Sequence, residues 1–319
     1  MIQPVYAMNF GHFISETLFP IWYSQKLFGM ETTDVEVVVD RAICSLIPKG
    51  EECERFFKEW LRAVSRHPLR FLDELQQGVP PQRVCFKHLI AGVSAVSALR
   101  PFNKPHVNRG SAWKEFREFV LWNMGMETYN KGREGDGDGD GRQQQQGGGM
   151  RKHRILWGTR KCCTRLIVNI EQVIEDVRNS LKGVEIDVVD FKEMKAEEQL
   201  EEVMKTSVLI QPGGGGSFLA AFLPAGSAAV FVDVWDMETD KSHHLEGFLW
   251  SFIPELIDVY YTVERHELQL PSTTSSREEP LWANIFVNSS RLINVIKHAM
   301  WAVDSYYSLH GWPLLHSHI

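Results

Sequence analysis

The chain is poor in cysteine. It has five in 319 residues, Cys44, Cys53, Cys85, Cys162 and Cys163, and none forms a C-x-x-C pair. No histidine stands at zinc-finger spacing from them, which argues against a structural zinc site. The odd number leaves the redox compartment open, and adjacent Cys162 and Cys163 read as packing or loop residues. Basic charge is also scarce: 34 Lys and Arg face 41 Asp and Glu, for a net charge of −7. Nothing in that balance points to nucleic acid or acidic lipid as partner. No apolar run approaches the ~20 residues of a membrane span. Met1–Phe10 has neither the basic start nor the sustained apolar stretch of a signal peptide. The glycine spacings of the dinucleotide and P-loop fingerprints are missing as well, which weighs against an NAD-dependent enzyme.

What is present suits a folded protein. The composition is 44% hydrophobic and 24% charged, with 10 Trp and 18 Phe to fill cores. At ~150 residues per domain the length fits roughly two. The clearest boundary is Lys131–Gly149, which has no apolar side chain and holds a third of the 24 glycines. It is expected to be a disordered linker. Its Asp-Gly repeat lacks the closing Glu of a calcium loop.

Beyond the linker, strand and helix patterns alternate. Arg154–Trp157 reads as a strand, and Glu171–Leu181 as a helix with Val173, Ile174, Val177 and Leu181 on one face. Val184–Asp190 is a second strand, Ala196–Thr206 a second helix, and Val208–Gln211 a strand apolar on both faces. Four glycines follow, Gly213 to Gly216. Ser217 is then a candidate N-cap, Phe218–Leu223 a short helix, and Ala228–Val234 the next strand. This alternation predicts a parallel sheet with helices on both faces, whose ligands sit at the carboxyl ends of strands. Gly213–Gly216 and Thr159-Arg160 lie at two such ends. The glycines offer bare amides at a helix start, either as an anion cradle or as a tight turn. Before the linker, Phe13–Leu27, Glu52–Val64 and Trp113–Trp122 read as helices, and Val35–Val39 and Val84–Ile90 as strands. Near the C-terminus, Pro271–Pro280 reads as a polar loop and Trp282–Leu309 as a long helical pattern through Ile285, Leu292, Ile293, Ile296, Met300 and Trp301. His316 and His318 belong to a frayed tail rather than a metal site.

Three segments in order carry a resemblance. They are N-F-G-H-F-I-S-E-T-L-F-P (Asn9–Pro20), W-G-T-R-K-C-C-T-R-L-I-V-N-I-E (Trp157–Glu171), and Gln211–Asp236. Together they resemble family 61 glycosyltransferases over about Met1 to Tyr261. Asn9, Gly11 and His12 match the family's N-x-G-H start. Thr159-Arg160, Arg165 and Asn169 match its strand-end Arg and its Arg-x-x-x-Asn. Phe222-Leu223-Pro224, Gly226 and Ser227 match its Leu-Pro-x-Gly-Ser segment. Two departures stand out. The family's loop His falls on Gly213 and its Thr-Asn on Phe218-Leu219. The chain also begins almost on the first motif, which implies that a signal anchor and part of an N-terminal domain precede it in a full-length protein.

The resemblance implies a GT-B-like fold: α/β, with two Rossmann-like domains and parallel sheets. The expected division is an acceptor-side domain over 1–130, the linker over 131–150, a nucleotide-sugar domain over 151–265, and a loop and helix over 266–319 that pack back on them. The implied activity is inverting, metal-independent transfer from a nucleotide sugar to a glycan or glycoprotein acceptor, with no cofactor, in the Golgi or endoplasmic reticulum lumen. Without a metal, arginine and helix-end amides must meet the charge of the departing diphosphate. Arg160 is the first candidate and Arg165 the second, with Gly213, Gly214, Gly215, Gly216 and Ser217 beside them. A base must take the acceptor proton. His12 suits this, because imidazole is the side chain that exchanges a proton most readily near neutral pH, and Glu16 can orient it or serve as the base itself. Asp233-Val-Trp-Asp236 lacks the Asp-x-Asp spacing of a metal site, so Asp233, Asp236 and Glu238 are candidate contacts to a sugar or ribose hydroxyl, and the cluster of His243, His244 and Glu246 near Trp250 is a candidate lining of the donor pocket. The altered loop motivates a different class: an inactive relative that binds a carbohydrate or nucleotide. Asn288-Ser-Ser is an acceptor for N-glycosylation in a secretory protein.

Overall fold

The computed structural model describes residues 9–30, 35–45, 50–75, 89, 111–126, 153–161, 165–236, 241–242, 253, 255–269 and 283–310. The expected linker, the Val84–Ile90 strand apart from Leu89, the Pro271–Pro280 loop, Glu238, His243, His244 and Glu246 lie outside these residues, as does the side chain of Asp236.

The N-terminal portion is mostly helical. Asn9 caps its first helix, its side-chain oxygen accepting the Gly11 N–H at 3.1 Å. Helix α1 (Phe10–Phe13) passes through a π-helical segment, Ile14–Leu18, into α2 (Phe19–Leu27). Strand β1 (Val38–Val39) pairs in parallel with β2 (Arg70–Phe71). The strand expected over Val35–Val39 is thus cut to two residues, because its partner offers a ladder only two residues long. Between them lie α3 (Ala42–Ser45) and α4 (Gly50–Trp60), which tightens into a 3-10 turn over Leu61–Ala63. Helices α5 (Leu72–Leu75) and α6 (Ser111–Asn123) complete this portion.

The second portion is built on a parallel sheet. Its strands are β3 (Arg154–Gly158), β4 (Glu185–Val189), β5 (Val208–Pro212), β6 (Ala228–Asp236) and, after the short antiparallel β7 (Lys241–Ser242) on the end of β6, β8 (Ile257–Val263). The spatial order of the parallel strands is β4-β3-β5-β6-β8. A small antiparallel pair, β9 (Leu268–Gln269) and β10 (Asn284–Ile285), precedes the last helix. Helix α7 (Ile170–Ser180) connects β3 to β4, α8 (Ala196–Met204) connects β4 to β5, and α9 (Ser289–His310) ends the described chain. After β4 has added on one side of β3, β5 adds on the other. The order therefore reverses between β3 and β5, which opens a crevice beyond their carboxyl ends.

Strand alternation sorts the core into two layers. Ile155, Trp157, Val208, Ile210, Val230 and Val232 face α7 and α9. Leu156, Leu209, Ala229 and Phe231 face the other way, into one cluster with Leu200 of α8, Phe222, and the N-terminal Phe13, Trp60, Trp113 and Phe116. Trp60, Trp113, Phe116 and Phe222 are fully buried, and each such side chain contributes roughly 1.5–3 kcal/mol. The N-terminal helices thus share a core with the second face of the sheet. A polar clamp reinforces it. Glu255 accepts from Lys114 at 3.2 Å and Arg117 at 3.3 Å, and Arg117 also donates to the Leu223 carbonyl. Burial pushes the Glu255 carboxyl up, but the two cations outweigh it and hold it below the usual carboxylate value.

Three local expectations need correction. Ser217 is not an N-cap: the helix starts two residues earlier, at Gly215, with Gly214 as its cap, and the Ser217 hydroxyl donates back to the Gly214 carbonyl. Ile285 belongs to β10, so α9 begins at Ser289. Trp301 is 64% exposed, since the buried stripe of α9 runs through Leu292, Ile296, Ala299 and Val303.

Cys44 and Cys53 form a buried disulfide joining α3 to α4. Closing so short a loop is worth about 2–3 kcal/mol on the chain-entropy account. Replacing both cysteines by serine is expected to lower the melting temperature by several degrees and to abolish its sensitivity to reductant. An unchanged melting temperature would remove the disulfide from the stability of this portion.

Candidate active site at the strand order reversal

Each motif residue has a local reason. Gly11 is required because a Cβ there would stand 2.6 Å from the Phe218 ring. The start of α1 packs on the glycine loop, with Asn9 Oδ1 2.7 Å from where a Gly215 Cβ would lie. Asn169 is structural: its amide donates to the Val287 carbonyl at 2.8 Å, and its oxygen accepts the Val287 N–H at 3.0 Å. Gly226 has φ +77° and lies under Tyr306, while the Ser227 hydroxyl donates to the Thr206 carbonyl. These two hold the turn between the 3-10 helix Gly215–Phe222 and β6.

The remaining motif residues converge at the order reversal. Arg160 follows β3, and its Nη2 donates to the Gly213 carbonyl at 3.0 Å. Arg165 Nη1 donates to the same carbonyl at 2.9 Å. Two guanidinium groups thus meet on one peptide oxygen of the glycine loop. The backbone around them is specialised. Gly214 has φ +118°, and a Cβ on it would stand 2.8 Å from Arg160 and 3.0 Å from Arg165. Arg165 is the only non-glycine residue with positive φ among those described, at +59°. Such strain is characteristic of functional sites. The Gly213 N–H is taken by the Val232 carbonyl at 2.9 Å, which leaves the anion-facing part of the expected cradle to Gly214–Gly216. Asp233, 5% exposed at the end of β6, lies against Gly213: a Cβ there would be 2.9 Å from its carboxylate.

A crevice of about 690 Å³ opens beside this loop. Thr159, Arg160, Gln211 and Gly216 form its sheet side, and residues from Asp190 to Lys195 after β4 form one end. Facing them are Phe10 and, from α4, Glu52, Arg55, Phe56, Glu59 and Trp60. Among the expected site residues, Arg160 and Gly216 line the crevice. Arg165, Gly213, Gly214 and Gly215 stand directly behind them. His12 and Glu16 are not in the lining. They sit on the helix whose start abuts Gly215, with His12 Nδ1 3.1 Å from Glu16 Oε2. A carboxylate only accepts, so Nδ1 carries a hydrogen, and in the neutral tautomer this leaves the lone pair on Nε2. Glu16 lies within the π-helical segment, a distortion frequent at functional sites.

Gln211 was not expected as a site residue. It is 3% exposed, and its Nε2 has no hydrogen-bond partner among the described residues. The amide lies so close over Gly158 that a Cβ there would be 2.1 Å away. The signal was available: one polar residue near the end of an apolar strand, separated from the glycines by Pro212 alone. The polar edge of α4 was legible as a helix face but not as a crevice wall. Among the described residues, no group of three or more His, Cys, Asp or Glu side chains is placed to hold a metal ion. No described helix is long and apolar enough to cross a membrane.

No curated protein matches this sequence. The family model described as glycosyltransferase 61 matches residues 10–230, which take in the helix start at Gly11 and His12, Arg160, Arg165 and the glycine loop. The chain belongs to glycosyltransferase family 61.

Proposed function

We propose that the chain is an inverting, metal-independent glycosyltransferase that uses a nucleotide sugar and works as a GT-B enzyme, with 1–130 on the acceptor side and 151–265 on the donor side. The observation that carries this reading is the convergence of Arg160 and Arg165 on the glycine loop at the strand order reversal. As the sugar–phosphate bond breaks, negative charge grows on the diphosphate, and two preorganised guanidinium groups beside bare loop amides favour that charge. In a single displacement the acceptor hydroxyl oxygen attacks the anomeric carbon, the diphosphate leaves with the bonding pair, and the hydroxyl proton passes to His12 Nε2. Glu16 orients the ring and stabilises the imidazolium that forms. Asp233 and Glu246 are assigned to sugar or ribose hydroxyls.

Calorimetry with UDP- and GDP-sugars, paired with a turnover assay on glycan and glycoprotein acceptors, tests the proposal. Binding with transfer supports it. One observation favours the second reading, a binding module: His12 and Glu16 stand outside the crevice lining. Binding without transfer to any acceptor would establish that alternative.

Placement in the Golgi or endoplasmic reticulum lumen is part of the same proposal. The Cys44–Cys53 disulfide supports it, because such bonds persist in oxidising compartments. Asn288 of the Asn-Ser-Ser site is exposed, at the start of α9. Expression in a secreting host is expected to yield a protein whose mass falls on treatment with a glycan-cleaving enzyme. An unchanged mass would count against lumenal placement, since burial does not protect this site.

A further inference from the structure

Helix α4 has two edges of different character. Along one, Glu52, Arg55 and Glu59 line the crevice. The other, continued through the turn at Leu61–Ala63, lines a second groove of about 750 Å³. The crevice is balanced in charge: Arg55, Arg160, Lys192 and Lys195 stand against Glu52, Glu59, Asp190 and Glu193. The groove is not. Lys58, Arg62, Arg66 and His67 line it, and no acidic residue does among those described. In a chain of net charge −7 this is a local inversion of the field, and a concave surface of one sign concentrates its counter-charge.

The groove also has an aromatic wall. Trp122 is 41% exposed, and the Arg66 guanidinium lies 3.8 Å over its ring. The stack holds the guanidinium flat and leaves its N–H edge to grip a carboxylate or sulfate. Among the described residues, neither Lys58 nor Arg66 has a carboxylate partner. Arg62 is paired with Glu197, which lies in sequence between Lys195 and Gln199 of the crevice wall. That ion pair links a residue of the groove wall to the helix that follows Lys195 of the crevice wall.

We propose that the groove is a subsite for an anionic polysaccharide, one bearing carboxylate or sulfate groups on its sugar rings. It would hold the acceptor chain as it leaves the crevice. The acceptor role rests on the glycosyltransferase reading; the binding chemistry does not. The exposed part of the indole offers a flat apolar surface to the C–H face of a sugar ring. The cations beside it select for negative charge.

Binding is measured for wild type, for Lys58→Ala/Arg66→Ala and for Trp122→Ala. The probes are oligogalacturonate, a chondroitin sulfate oligosaccharide, a neutral xylo-oligosaccharide and an oligo-aspartate peptide. Uridine diphosphate binding is followed on the same samples. At least one of the two anionic saccharides is expected to bind wild type, more weakly as salt is raised, and which one does so tells carboxylate from sulfate recognition. Its affinity should fall at least tenfold in both variants, with diphosphate binding unchanged. Equal affinity in the double variant would overturn the proposal. So would oligo-aspartate binding as tightly as the saccharides with no effect of Trp122→Ala, which would mark an acidic-peptide site. If wild type binds the diphosphate but neither anionic saccharide, the groove proposal alone fails. If it binds the saccharide at the groove but no nucleotide sugar or diphosphate, the glycosyltransfer reading fails and the groove stands.

Discussion

Replacing His12 by alanine is expected to lower turnover by ~10²–10⁴, the usual span for a positioned general base, and to leave nucleotide-sugar binding unchanged. The asymmetry follows from position. His12 is on the helix that abuts the glycine loop and does not line the crevice, so its loss should leave the contacts offered to the diphosphate by Arg160 and the loop intact; the role proposed for it is to take the proton of the acceptor hydroxyl. Glu16→Gln gives a second measure. The amide keeps the hydrogen bond to Nδ1 but removes the charge that steadies the imidazolium, so the fall should be smaller than for His12→Ala. The kcat of both variants, with donor affinity measured separately, checks this. Near-full turnover of His12→Ala together with collapse in Glu16→Gln would transfer the role of base to Glu16. Full turnover in both would remove α1 from the chemistry.

Arg160→Ala should fail differently. It removes a charge-assisted contact that strengthens as the leaving group departs, so the expected loss is ~2–4 kcal/mol of transition-state stabilisation, or roughly 30- to 1,000-fold in kcat/KM. Nucleoside diphosphate binding should weaken as well. Arg160→Lys should recover little, because a single ammonium cannot reproduce the planar fork that now meets the Gly213 carbonyl. Wild-type diphosphate affinity in Arg160→Ala would place the diphosphate elsewhere, and the role given to Gly214–Gly216 would fall with it.

The parallel sheet was legible because its signals are local. Val208–Gln211 and Ala228–Val234 are apolar on both faces, and Val173, Ile174 and Val177 form a helical stripe, so residue spacing alone reveals the elements. The approach of Arg160 to the glycine loop was legible at the level of strand ends. That Arg165 meets the same carbonyl was not, since it depends on a left-handed residue that no propensity assigns to arginine. Val35–Val37 shows the opposite failure. Val35-Glu36-Val37 alternates as a strand should, yet a strand exists only where a partner supplies hydrogen bonds. The α4 wall and the Cys44–Cys53 pair were out of reach because both depend on how α3 and α4 fold against each other and onto the sheet. Gln211 could have been singled out, as a lone polar residue closing an apolar strand.

The layer that joins the N-terminal helices to the sheet limits how substrates can enter. Rigid-body separation of the two portions would expose Trp60, Phe116 and Phe222 to water. At about 25 cal/mol per Å², each ~100 Å² of apolar surface uncovered costs about 2.5 kcal/mol, before the Glu255 clamp is counted. An opening wide enough to pass a polysaccharide would soon approach the marginal stability of the whole fold. Traffic through the crevice is therefore confined to its rim, where Arg55, Lys192 and Glu193 can swing without disturbing the aromatic layer. A nucleotide-sugar donor bound as proposed would meet a largely preformed site, and its binding should carry little of the heat-capacity change that accompanies domain closure.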